Sequence, residues 1–331
     1  MRILMWDVHG GYTDSLLAGS HDYLFLSQDK SGRGGLARFA GSPPSSAREA
    51  TGEELRDMPP DLLLLQRLEE IAACRRLLGR TPGVDLPAIF LEHNTPKADV
   101  PNTRHPLADA DGISMVHVTH FNDLFWDCGA RPTRVIEHGV ADPGLRYTGD
   151  LARLAFVVNE PVRRWRTTGT DLLRRFQPFE IDAFGIDGHL LLPALQPTSV
   201  RVRFAGNLSP AELNAALARR RVYLHLNRWT SLGLSLITAM LIGMPVVVLD
   251  TTEASRAVPA DAGTLSTDVD ELIRAARMLV NDVDEAARRG RNARRAALER
   301  YGLERFLADW DATFADAVTR AVGRAAVPLR Q

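Results

Sequence analysis

The sequence predicts an α/β protein built from two doubly wound domains with parallel sheets. Two observations carry this expectation. Short apolar runs alternate with helical stretches twice over, and some of those runs are apolar without interruption. Val246-Val247-Val248-Leu249 is the clearest of them, as a strand requires when helices cover both its faces. In the first half, Ile3–Val8, Tyr23–Leu26, Leu62–Gln66, Ala88–Leu91, Met115–Thr119 and Arg134–Glu137 are expected strands. Leu68–Leu78 is an expected helix, because Leu68, Ile71, Ala72, Arg75 and Leu78 recur in helical period. Lys30–Pro60, rich in Gly, Ser, Pro and charge, reads as a mobile surface excursion.

The turn Asp142-Pro143-Gly144 and the polar Tyr147–Asp150 mark a boundary, after which the alternation restarts. Leu154–Val158, Glu180–Phe184, Val200–Ala205, Val222–Leu226 and Val246–Leu249 are the second set of expected strands. Helices are expected at Asp171–Phe176, Pro210–Arg219, Leu232–Ile242 and Val269–Val280, with two or three more from Glu285 to Val322. The expected division is therefore 1–148, 149–310, and a C-terminal helix in 311–331 that crosses back to the first domain. Parallel sheets bind ligands beyond their C-terminal strand ends, so the cleft that the two sheets face is the expected site.

Composition narrows the partners. With a net charge of −1, 45% hydrophobic and 24% charged residues, the 331-residue chain is ordinary for a soluble globular protein, and nothing argues for nucleic acid. Lysine occurs only at Lys30 and Lys97, so nearly all of the 40 basic residues are arginine, as a GC-rich bacterial genome would produce. Cys74 and Cys128 have neither metal spacing nor a disulfide framework. No apolar run approaches the roughly 18 residues of a membrane span, and a cytoplasmic protein is the expectation. Arg288–Arg300 could touch a membrane surface or an anionic partner, although such a run is more often the solvated face of a helix.

The most informative stretch is Arg228–Asp250. Ser231 can cap a helix whose apolar positions run Leu232, Leu236, Ala239 and Met240. Gly243 then stands where a helix end wants a left-handed residue, and Pro245 follows. Such a helix start, after a small-residue loop, directs N–H groups at an anion and would suit a pyrophosphate. An ordinary core helix and strand would use the same residues.

This segment resembles the C-terminal signature of the retaining glycosyltransferases of family four, which have the GT-B fold of two Rossmann-like domains. Leu232-Gly233-Leu234, Ala239-Met240 and Gly243-Met244-Pro245-Val246-Val247 fall in register with it, while its two glutamate positions hold Thr230 and Thr238. The resemblance implies donor-sugar contact at Thr230 and ribose contact at Thr238. It extends to four other segments. Asp7-Val8-His9-Gly10-Gly11 resembles the family's glycine-rich first loop, where Gly10 and Gly11 approach phosphate or sugar. His93, at the polar end of Leu91–Pro96, matches a histidine near the donor sugar. Arg163 and Gly169 match an Arg and Gly that accompany the pyrophosphate, with Thr168 in place of the family's lysine and Arg164 or Arg166 available for the missing charge. Val202–Leu208, with Gly206, resembles the loop that meets the nucleobase.

The implied activity is transfer of a sugar from a nucleoside-diphosphate donor to a hydroxyl of a small molecule or glycan, with retention and without cofactor or metal. The resemblance implies that 1–148 is the acceptor side and 149–310 the nucleotide-sugar donor side, with His93 and Arg163 as the expected catalytic residues. Gly10, Gly11, Thr168, Gly206, Thr230, Ser231, Leu232, Gly233, Leu234 and Thr238 join Arg163 on the donor. A catalytically impaired relative that binds a nucleotide-sugar or a partner enzyme is the rival. A nicotinamide-dependent oxidoreductase fits the alternation, but the first strand lacks its fingerprint; Gly32-Arg33-Gly34-Gly35-Leu36-Ala37 imitates it only after the second expected strand and reads as a flexible loop. His117 and His120 are a poor metal pair on a strand, and Asp109-Ala110-Asp111 lies in a polar loop without a leading strand.

Overall fold

The computed structural model describes residues 1–26, 35, 36, 39 and 42–325. Most of the Gly32–Ala37 cluster lies outside the described residues. The chain forms two compact units, Met1–Gly139 with the chain from Leu303 onward, and Val140–Gly302.

In the first unit the elements run β1 (Arg2–Met5), α1 (Gly10–Leu17), β2 (Asp22–Leu26), β3 (Ala47–Ala50), α2 (Gly52–Asp57), β4 (Leu62–Leu65), α3 (Leu68–Leu78), β5 (Ala88–Glu92), β6 (Ile113–His117), α4 (His120–Phe125) and β7 (Thr133–Val135). Among the described residues the strands form one parallel sheet in the order β3-β2-β1-β4-β5-β6-β7. The second unit contains β8 (Leu151–Val157), β9 (Glu180–Phe184), α5 (Leu191–Leu195), β10 (Arg201–Gly206), α6 (Pro210–Ala218), β11 (Arg220–His225), α7 (Leu234–Leu241), β12 (Val246–Leu249), α8 (Ala254–Ala257), β13 (Gly263–Ser266), α9 (Val269–Asn281) and α10 (Val283–Tyr301). Its parallel sheet has the order β10-β9-β8-β11-β12-β13. The first strand of each sheet thus has its second on one side and a later one on the other. Chain direction switches at β1/β4 and at β8/β11, where doubly wound sheets open a ligand crevice.

Strand periodicity explains the double coverage. Val246 and Val248 pack into one core with Leu236, Ile237 and Met240 of α7, while Val247 and Leu249 join Leu272, Ala276 and Leu279 of α9 on the opposite face. Gly243, at φ +91°, ends α7 in a conformation that a side chain resists.

Three expectations change. The boundaries fall at Gly139 and Gly302 instead of 148 and 310. The segment after the Asp142 turn is bonded into the second unit: the amides of Arg146 and Tyr147 donate to the Ile242 carbonyl (3.1 and 3.0 Å), and those of Thr148 and Gly149 to Ala218 (2.9 and 3.0 Å). The last helix, α11 (Leu303–Ala325), begins earlier than expected and buries Phe306, Trp310 and Phe314, four residues apart, in the core of the first unit. The stretch expected to be mobile contains β3 and α2 in its second half. A capping box orders it, with the Glu54 amide donating to Thr51 Oγ1 (3.1 Å) and the Thr51 amide to the Glu54 carboxylate (2.7 Å).

Candidate functional site

At the switch point of the first sheet, the loops after β1, β4 and β5 bring His9, Gln66 and His93 together. His93 is buried, with Nε2 2.9 Å from Gln66 Oε1. Its ring centroid lies 4.0 Å from that of His9 and 4.7 Å, edge to face, from that of Tyr12. Tyr12 also meets His138, which follows β7, at 5.6 Å and accepts a hydrogen bond from Trp310 Nε1 of α11 (3.0 Å). Arg305 of α11 donates to the His138 carbonyl (2.7 Å). Burial pushes the His93 imidazole well below its ordinary pKa, and its neighbours His9 and His138 push further. Burial likewise lowers His138 to about 4. The lowered pKa keeps the His93 and His138 imidazoles neutral at pH 7, and His93 acts there as a hydrogen-bonding group toward Gln66.

Gly10 and Gly11 are the first residues of α1 and not, as expected, a loop. The chain turns directly into the helix because the His9 carbonyl accepts from the amides of Tyr12 and Thr13, both 2.9 Å. His117 ends β6, with Nε2 3.5 Å from Cys128 Sγ, whereas His120 begins α4. Asp109 pairs with Arg104 (2.6 Å). Among the described residues no group of three or more His, Cys, Asp or Glu could hold a metal ion.

In the second unit, the loops after β8 and β11 are joined at the switch point. The Thr167 carbonyl accepts from the amides of Arg228 (2.8 Å) and Trp229 (3.2 Å). The Arg228 guanidinium donates to both Asp171 carboxylate oxygens (2.6 and 2.9 Å), and Arg166 to one of them (3.2 Å). Asp171 sits on a 3₁₀ turn, Thr170–Arg175, where a helix was expected. Thr168 is buried, its hydroxyl bonded to the Arg164 carbonyl (3.1 Å) and to Thr170 Oγ1 (2.8 Å). Arg163 is exposed and grips Glu160, three residues earlier, through Nε (2.7 Å) and Nη2. Arg164 is half-buried; burial, then neighbouring Arg163, lowers its pKa.

Gly169 holds this corner. It lies at φ +68°, and a Cβ there would fall 1.8 Å from the Leu226 carbonyl oxygen. Gly169→Ala should therefore destabilise the second unit by roughly 2 kcal/mol or more, read as a lower urea midpoint. An unchanged midpoint would show that the corner yields without cost.

The helix after β11 starts later than expected. Gly233, not Ser231, is the cap residue of α7, with no side-chain cap bond, and Leu232 is buried in the core below. Thr230 Oγ1 accepts from Asn227 Nδ2 (3.2 Å), and Thr238 is half-buried in mid-helix. Gly206, at the end of β10, accepts from the Gly185 amide (3.1 Å). Arg163, Thr168 and Thr230–Gly233 thus occupy loops at one end of this sheet, where Leu234 opens α7, while His93, Gly10 and Gly11 belong to the first unit. The residues that sequence reasoning missed are Tyr12, Gln66 and His138 in the first unit, and Asp171, Trp229, Thr251 and Thr252 in the second. Strand-end position was the available signal for Gln66 and His138.

Residues 180–282, from β9 to the end of α9, match the family described as Glycosyl transferases group 1. No curated protein matches the chain. Solved structures do. The sucrose-phosphate synthase of Thermosynechococcus elongatus is 15% identical, with a TM-score of 0.70 over 97% of this chain and 100% of its own. Anabaena HepE, solved with UDP-glucose, is 17% identical, with a TM-score of 0.66 over 96% of this chain and 100% of its own. The fold is GT-B. A variant of S. aureus TarM, solved with fondaparinux, α-GlcNAc-glycerol and UDP, is 14% identical, with a TM-score of 0.61 over 80% of this chain. This chain spans only 58% of TarM's length. Among the described residues no helix is long and apolar enough to cross a membrane.

Proposed function

We propose that the protein is a glycosyltransferase that moves a sugar from a nucleoside-diphosphate donor to a hydroxyl of a small molecule or glycan. Retention at the anomeric carbon and independence of metal ions and cofactors belong to the same reading, as does membership of family four. The observation that carries it is the family match over residues 180–282, which spans the helix start at Gly233 and the loop before it.

On this reading the donor lies on the second unit. Its diphosphate meets the amides of Leu232, Gly233 and Leu234 at the start of α7, which no side chain caps, and the fork of Arg163. As the bond to the sugar breaks, charge grows on the diphosphate, and these fixed donors stabilise it without rearrangement. Gly206 meets the base, Thr238 the ribose, and Thr230 and Ser231 the sugar. In the first unit, His93, Gly10 and Gly11 are the residues for substrate, with the neutral His93 imidazole reading a sugar hydroxyl. A second reading, nucleotide-sugar binding without turnover, is favoured by one feature: Thr230 and Thr238 supply neutral hydroxyls where carboxylates would make hydrogen bonds about twice as strong.

Release of nucleoside diphosphate from a panel of UDP-, GDP- and TDP-sugars, with unchanged rate in EDTA, tests the activity. The anomeric configuration of the product by NMR tests retention. Binding without release would favour the second reading.

Arg163→Ala should weaken nucleoside-diphosphate binding by roughly 1.5–3 kcal/mol, the range for hydrogen bonds to charged groups. Arg288 is the matched control, an exposed arginine paired with Glu285 three residues earlier (2.7 Å). Equal calorimetric effects of Arg163→Ala and Arg288→Ala would remove Arg163 from the phosphate site.

A further inference from the structure

His225 ends β11 beneath the start of α7 and is only 5% exposed. Gly233, the cap residue of α7, lies directly against its ring: a Cβ there would fall 2.8 Å from His225 Cε1. The same point is 3.5 Å from Asn227 Nδ2 and from Ser235 Oγ, so the helix start rests on a polar floor. Two of the three groups in that floor are engaged. Asn227 Nδ2 donates to Thr230 Oγ1 (3.2 Å), and the Tyr223 hydroxyl donates to Ser235 Oγ (2.9 Å). Among the described residues the His225 imidazole has no hydrogen-bond partner, and its ring neighbour is Tyr223, 6.1 Å away between centroids. A buried polar group without a partner costs stability.

No fixed charge compensates this imidazole. α7 carries no charged residue. Of the strands beside β11, β8 contributes Arg153, which is bound to Asp182, and β12 is followed by Asp250 and by Glu253, which is paired with Arg256 (3.0 Å). In the loops after β8 and β11, Arg163 is bound to Glu160, Arg164 stands beside Arg163, and Arg166 and Arg228 share Asp171. Burial raises the pKa of the Tyr223 hydroxyl, which is neutral. Burial is also the one cause that lowers His225 to about 4, so none of these charges acts on it. At pH 7 the free protein therefore holds a neutral imidazole under the helix start.

We infer that His225 is a proton-linked anchor of the donor diphosphate: the phosphates bound at the Leu232–Leu234 amides draw a proton onto the imidazole beneath them. The amides bring only partial charge. His225 is the group under the helix start that gains a full positive charge when negative charge arrives above it, in surroundings where water screens little. Gly233 is what lets backbone and ring approach so closely. Protonation and binding then favour each other, and affinity rises as pH falls from 7 to 6. This role rests on the glycosyltransferase reading and concerns how that site meets the charge of its donor.

A nucleoside-diphosphate sugar is the suitable probe. Its diphosphate is a diester that stays fully ionised, whereas a free terminal phosphate itself titrates at about pH 6. UDP-, GDP- and TDP-glucose are titrated into the full chain by calorimetry at pH 7 and pH 6, in two buffers of different ionisation enthalpy, which counts the protons taken up. With at least one of the three, wild type should take up about half a proton at pH 6 and far less at pH 7, and should bind about twofold more tightly at pH 6. His225→Gln should bind without proton uptake and with equal affinity at the two pH values. Circular dichroism at both pH values reports its fold, and His225→Asn is the second variant should glutamine not be accommodated. Binding to wild type without proton uptake overturns the inference and leaves the glycosyltransferase reading standing. The same uptake in the folded variant as in wild type also overturns it, because the proton then goes to another group. No binding of any of the three sugars or of their nucleoside diphosphates removes the reading and the inference together.

Discussion

Asp182→Ala is expected to lower the melting temperature of the second unit by roughly 10 °C. Asp182 is fully buried in mid-strand on β9 and is surrounded by arginines from three other strands. It accepts from Arg153 of β8 (3.1 Å), from Nε and Nη2 of Arg203 of β10 (3.1 and 2.9 Å), and from Nε and Nη2 of Arg220 of β11 (2.9 and 2.8 Å). Burial alone would raise the pKa of this carboxyl, yet the bonds from Arg203 and Arg220 hold it below its ordinary value. Removing the carboxylate strands Arg220, whose side chain is only 9% exposed, as an uncompensated buried charge. Loss of one partner of a buried pair costs about 3–5 kcal/mol, far more than the pair contributes over apolar residues of the same size. Asp182→Leu combined with Arg220→Met should therefore recover much of the loss. Calorimetry of wild type, single and double variants checks both statements. A double variant no more stable than Asp182→Ala would show that the pair itself stabilises the sheet.

Stability should also fall steeply between pH 7 and pH 5. Burial is the first cause that lowers His117, His138 and His225 from 6.5 to about 4. For His138 the neighbouring His9 and Arg305 add to it, while for His117 the carboxylates of Asp123 and Glu92 oppose it. Each imidazole takes up a proton more readily in the unfolded chain. Its contribution is thus complete above pH 6.5 and is lost as pH falls toward 4. At pH 5 the loss is about 2 kcal/mol for each histidine. His138 gives the cleanest variant, because among the described residues neither ring nitrogen has a hydrogen-bond partner and His138→Phe removes a titrating group without orphaning another. Urea midpoints at pH 7 and pH 5 should differ clearly in wild type and less in His138→Phe. Equal midpoints at the two pH values would mean that the buried imidazoles are hydrated or already protonated.

What was legible in the sequence follows how local each determinant is. Glu180–Phe184, Val246–Leu249 and Leu68–Leu78 have the bounds expected for them, because periodicity within a few residues decides them. β3, α2 and α1 were missed for compositional reasons. Gly, Ser and charge masked a Thr51–Glu54 capping box, and two glycines masked the start of α1. At the site, His93 was legible because a polar residue ends a buried strand. Trp229 was not, since its place at the site depends on which strand ends the sheet order puts side by side. Ser231 failed as a cap because Leu232 is drawn into the core, which moves the helix start to Gly233 and Leu234.

The proposal of a nucleoside-diphosphate-sugar site is most directly tested by thermal shift with UDP, GDP, TDP, NAD and NADP. A ligand at 100 times its dissociation constant adds about 2.7 kcal/mol, enough to raise the melting temperature by several degrees. The expected result is a rise with at least one nucleoside diphosphate and none with NAD or NADP. A rise confined to NAD or NADP, with no response to any nucleoside diphosphate, would contradict it.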